Sequence, residues 1–197
     1  MVYTTFKEIV DRSSAIVIGW PTSTKGVVNT ARDPKDPTRQ DPNYFGIGQV
    51  YEVQVDRYLK GNGPDLIYVI QNEGLIPSKS KEVTEDEVVQ AKKLSNTLPL
   101  TIGDQYIMFL SASEFSYDNF SKDGLFIGRG HPWRFEVTSS ECVQPEDALT
   151  VVIRYFPSQT LDKFIELIND PNAAPEMPYP AQGISGGCTP ENIRPYP

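Results

Sequence analysis

The chain has one histidine, two cysteines, no run of lysine and arginine, and no apolar stretch long enough to cross a bilayer. Each scarcity closes a class of function. A four-ligand zinc site needs more Cys and His than are present, so no metal or other cofactor is expected. The single imidazole, His131, is the one candidate for histidine base chemistry, and a base needs a nucleophile and an orienting carboxylate around it. The longest apolar runs, such as Tyr106–Leu110, have the length of a strand, well short of the roughly 18 residues of a spanning helix. Basic residues are outnumbered, 18 against 26 acidic, giving a net charge of −8. Phosphates are repelled by such a surface, which argues against nucleic acid as a partner.

What is present suffices for a core. The 197 residues suit one domain with a tail or an insertion, and 39% of them are hydrophobic. Aromatics reach 11%, ten of them Tyr, and with frequent β-branched residues they favour strands.

Thr5 and Glu8 have the spacing of a capping box, with Phe6, Ile9 and Val10 on one face of a short helix. Ala15–Trp20, closed by Pro21, reads as a buried strand. Residues 22–43 read as loop, because the pairs Asp33-Pro34, Asp36-Pro37 and Asp41-Pro42 disfavour regular structure. Tyr51, Val53 and Val55 alternate with Glu52, Gln54 and Asp56, the period of a sheet with one wet face. With the turn Lys60–Pro64 and the run Leu66–Ile70 they predict a hairpin over residues 48–71. Residues 75–98 read as an insertion with one helix, opened by the capping box Thr84/Glu87 and closed by Lys92 and Lys93. Further strands are expected at 105–111, 125–128 and 133–138, the last strictly alternating. Ser158 is placed to cap a final helix with Leu161, Phe164, Ile165 and Ile168 on one face. Seven of the seventeen prolines lie beyond Asp170, so residues 171–197 form an extended tail to a single domain over 1–170. The expected fold is mainly β: a small barrel or sandwich, with helices near both ends and one in the insertion. No βαβ alternation points to a nucleotide-binding sheet.

The order of these segments resembles a known group. Ser14–Gly19 is followed by Gln49–Gly61 ending in Leu-Lys-Gly, then Leu66–Ile70, Leu98–Leu110 with Gly-Asp-Gln-Tyr at 103–106 before its apolar run, and Gly130–Val137. This succession resembles uncharacterised bacterial secreted proteins whose core is similar to the OB-type antiparallel barrel of tissue inhibitors of metalloproteinases and netrin modules. The resemblance covers about residues 5–138, and framework positions account for most of it. Inhibitors of that fold chelate zinc through an N-terminal Cys. Met1-Val2 stands here and no Cys precedes Cys142, so that mechanism does not carry over. The resemblance implies export and, with it, pairing of Cys142 with Cys188. Two unlinked thiols, or a redox or metal role, are the alternatives. Met1 then stands where a leader, or a leader with a lipid anchor, has been removed; the other reading of a start without a leader is a cytosolic protein.

Candidate site residues are few. Phe115, Tyr117 and Phe120 fall in a polar loop where aromatics serve either packing or recognition. Trp133 alternates with Phe135 and Val137 as a core residue does, and His131 precedes a proline in a loop. Ser185 lies near a nucleophile-elbow pattern but has neither the strand nor the helix that pattern needs. Asp33, Asp36, Asp41 and Asn43 match no EF-hand spacing and read as turn residues. Asn119 opens a glycosylation sequon. The leading expectation is a monomeric, extracytoplasmic, non-catalytic binding domain for a protein or envelope ligand. The alternative is a hydrolase using scattered carboxylates or His131, and a single-strand binder of OB type is disfavoured by charge.

Overall fold

In the computed structural model, which describes residues 5–78, 82–95, 97–117, 119–146, 156, 158–174 and 188, three helices surround a strongly bent sheet. The order is α1 (Phe6–Arg12), β1 (Ala15–Asn29), β2 (Arg32–Asp33), β3 (Asp36–Gln40), β4 (Tyr44–Lys60) and β5 (Leu66–Pro77). Then come α2 (Glu85–Leu94), β6 (Gln105–Ala112), β7 (Leu125–Gly128), β8 (Arg134–Val137), β9 (Cys142–Pro145), β10 (Gln159–Thr160) and α3 (Leu161–Asn169).

Five strands close into a ring, β1-β4-β5-β7-β6, because β6 pairs back onto β1 from Ala15↔Leu110 to Gly19↔Tyr106. β5 and β7 run parallel and the other ring pairs antiparallel, so the barrel is not wholly antiparallel as expected. With α2 between its third and fourth strands, this is the connectivity of an OB-like barrel. β8, β9 and β10 extend the sheet from β6, and β2 and β3 form a separate small hairpin.

Side-chain alternation sorts the apolar residues into three layers. Val17, Val53, Val69, Met108 and Phe126, one from each ring strand, belong to a single cluster that fills the barrel. Their neighbours point outward. Ile16, Ile18, Ile107 and Phe109 pack under α1 and α3 with Phe135 and Phe156. Phe164 of α3 meets Phe135 edge-on at 4.7 Å and Phe6 at 5.1 Å, pairs each worth about 0.5–1.5 kcal/mol beyond burial. On the opposite wall Val28, Val50, Ile70 and Ile127 lie beneath the β6–β7 loop, which covers them with Phe115, Tyr117 and Phe120.

Several expectations need correction. Pro21 does not end β1. Past Gly19 the strand has lost β6, and a register shift between Pro21 and Ser23 lets proline sit in a bulged edge strand. The Asp-Pro segment is not wholly loop, because β2 and β3 pair within it. Its aspartates close turns: Asp33 accepts from the Lys35 amide at 2.9 Å and Asp41 from the Asn43 amide at 2.8 Å. β5 continues to Pro77, so the α2-bearing connection starts later than residue 75. Thr160, not Ser158, is the N-cap of α3, since Gln159 and Thr160 are taken up by pairing with β9. β8 stands where a strand was expected, and both its faces are covered: Arg134 and Glu136 are buried. Cys142 and Cys188 are bonded, fixing one point of the C-terminal segment to β9. Of that segment only 171–174 and 188 are described, so its expected extended form, like Ser185, lies outside the described residues.

Candidate functional site

Asn29, at the end of β1, accepts from the amides of Ala31 and Gly46 at 3.0 and 2.9 Å. This bond pins the root of the β2–β3 arm onto the start of β4. The arm lies so close that a Cβ on Gly46 would stand 2.5 Å from Thr30 Oγ1 and 2.6 Å from the Ala31 amide, so only glycine fits. Held in this way, Arg32 lays its guanidinium 4.9 Å from the ring centre of Phe115 and 4.5 Å from that of Tyr117.

Arm and loop enclose one side of a cavity of about 380 Å³, near the lower end of the range for small-molecule sites. Phe115, Tyr117 and Arg32 form that side. Asn72 and Thr97 stand on another, and Ile127 through His131 with Trp133 complete it. Trp133 fits because residue 128 is glycine; a Cβ there would fall 2.3 Å from the indole Cδ2. Beside the indole lies Arg134, its guanidinium carbon 5.2 Å from the ring centre. Arg134 donates to Gln71 Oε1 at 2.6 Å and to the Leu98 carbonyl, and it pairs with Glu146 at 2.8 Å. A buried guanidinium with three acceptors is a rigid support, and removing one partner from such a set costs about 3–5 kcal/mol.

The barrel interior next to this support is polar at two tyrosines. Tyr106 accepts from the Thr101 amide at 3.1 Å, and burial, with the Glu146 charge second, pushes its phenol up to about 12. Tyr51 is raised further by burial and by Glu73, to which it donates at 3.3 Å.

Compared with known proteins, the chain matches no family model and no curated sequence.

Of the residues singled out from the sequence, the cavity gathers Phe115, Tyr117, His131 and Trp133. Trp133 is core and cavity wall at once. Phe120 is not among the lining residues; it turns to Tyr68, ring centres 5.3 Å apart. Asn119 is exposed in the turn of the same loop. Glu85 and Asp86 lie in the first turn of α2 and Glu87 completes its capping box, as helix residues do. Arg32, Arg129, Asn72 and Thr97 were missed, because nothing local distinguishes them from surface residues. The described lining residues include no carboxylate and no serine.

Proposed function

We propose that the chain is a non-catalytic binding module working outside the cytoplasm, with its ligand seated in the cavity between the β2–β3 arm and the β6–β7 loop. One observation carries this reading. Five separate stretches of chain, at 30–32, 72, 97, 115–117 and 127–133, converge on one ligand-sized space lined by rings, cations and neutral polar groups. The architecture supports the choice of place, since OB-like barrels present their binding loops between the first and second and between the fourth and fifth ring strands. That is an analogy of fold, and the chemistry of the site has to stand on its own residues.

The Cys142–Cys188 bond supports an oxidising compartment, because such bonds persist outside the reducing cytosol. No helix among the described residues is long and apolar enough to cross a membrane. The ring of five strands also supports kinship with the secreted barrels that the sequence resembles.

The test is a surface-binding panel of envelope proteins, proteases and glycans, run on the native chain and on Asn72→Trp. Asn72 is exposed and lines the cavity, so the indole blocks the space without disturbing the core. A saturable binder that Asn72→Trp abolishes supports the proposal. A panel with no saturable binder, or binding indifferent to Asn72→Trp, overturns it.

A further inference from the structure

The charge of the cavity departs from that of the chain around it. Acidic residues outnumber basic ones 26 to 18 overall, yet the described lining residues include Arg32, Arg129 and His131 and no Asp or Glu. Three basic side chains face one small space in an acidic protein.

Arg32 has the most telling surroundings. Its guanidinium is oriented by the rings of Phe115 and Tyr117, so less freedom is lost when it grips a ligand. Its Nε is buried and donates to nothing. None of the ion pairs among the described residues includes it. A buried donor without an acceptor is a standing cost, and it leaves the Arg32 charge unneutralised by any described side chain. Arg134, next in the chain to the lining Trp133, shows the contrast: its nitrogens are already taken by Gln71, Leu98 and Glu146.

We infer that the cavity is an oxyanion receptor: it takes the carboxylate or phosphoryl group of a small organic ligand against Arg32 and Arg129, with His131 on the same wall. The planar fork of Arg32 suits two oxygens of one anion, and a charge-assisted pair in a partly dry cavity is stronger than its surface equivalent. The size of the space limits the ligand to one ring or a short chain. Thr97 and Asn72 offer neutral hydrogen bonds to the rest of the molecule. This inference rests on the proposed use of the cavity and adds the class of ligand.

Benzoate and phenyl phosphate are the probes, which separate carboxylate from phosphoryl. Benzyl alcohol is the neutral control, and inorganic phosphate tests the anion without a ring. Binding is read from the Trp133 indole N–H resonance in a Trp20→Phe background. The inference expects saturable shifts with at least one organic anion and none with benzyl alcohol. It expects Arg32→Gln to weaken binding about tenfold or more, and Arg129→Gln, a change at an exposed site that leaves folding intact, to weaken it in the same direction. Equal binding of benzyl alcohol, blocked by Asn72→Trp, overturns the anion inference and leaves the cavity as a binding site. Anion binding indifferent to Asn72→Trp, Arg32→Gln and Arg129→Gln overturns both readings. No shift with any probe up to about 10 mM, well above the range of weak specific sites, overturns the anion inference alone.

Discussion

The Lys92 ammonium of α2 lies 2.8 Å from the buried carboxylate of Glu73 on β5 and donates to Gln49 of β4 at 2.6 Å. α2 fully buries none of its own residues, and beside half-buried Val88 and Ala91 this polar clamp ties it to the barrel. Lys92→Met leaves Glu73 buried beside Tyr51 without its cation. The expected loss is about 1–3 kcal/mol in chemical denaturation, with faster amide exchange confined to α2. Adding Glu73→Gln, which keeps an acceptor for Tyr51 without the charge, should restore part of the loss. A double-mutant cycle with no coupling between the two positions would refute the clamp.

Gly128→Ala places a methyl group inside the indole of Trp133, 2.3 Å from Cδ2 and 2.5 Å from Cε2. Backbone cannot yield there, so the ring must move. In a Trp20→Phe background the emission should shift to the red, and stability should fall by about 1–3 kcal/mol. An unchanged spectrum would contradict the close packing of these residues.

How much of this was legible in sequence differed from element to element. β4 could be read directly, since Tyr51, Val53 and Val55 face the barrel and Glu52 and Gln54 stay half exposed. β8 was legible as a strand from the same alternation, but not that both its faces are covered, because Arg134 and Glu136 are buried with Gln71 and Gln144 as partners. The arm was hidden by its Asp-Pro pairs, which in a lone two-stranded hairpin occupy turns and free edges. The aromatic half of the cavity was visible as an unusual cluster in a polar loop. Its cationic half was not, since Arg32 acquires meaning only when the fold lays it over rings far downstream.

Alkaline stability should reflect the two buried tyrosines. Burial pushes the Tyr106 phenol up to about 12 from an ordinary 10.0, and Tyr51 is raised by burial as well. A raised phenol pKa means the folded state holds its proton more tightly than the unfolded one. The resulting stabilisation is complete below pH 10 and is lost as pH climbs from there through the folded value, at about 1.4 kcal/mol per pH unit for each group. Denaturation midpoints between pH 9 and 12 check the slope. A spectrophotometric titration should find tyrosines that ionise only as the protein unfolds, and full ionisation near pH 10 would exclude the effect.

The Cys142–Cys188 bond spans 46 positions. In the chain-entropy account, closing such a loop contributes about 3–4 kcal/mol, so Cys188→Ser should lower the melting temperature by many degrees. Intact mass should rise by about two daltons on reduction. Equal melting curves for the reduced and oxidised chain would show that the constraint adds nothing.

The seam that joins Ala15–Gly19 to Tyr106–Leu110 sets an order of events. A chain emerging from its N-terminus delivers β1, β4 and β5 long before β6. In that interval Ile16, Val17 and Ile18 have one edge paired and the other open, a template for any passing strand. The barrel is therefore sealed late, and a fragment ending before Gln105 keeps that edge however well its hairpin forms. The ring itself closes only when β7 joins β5 to β6, so the smallest unit without an open edge in the ring must reach through Gly128.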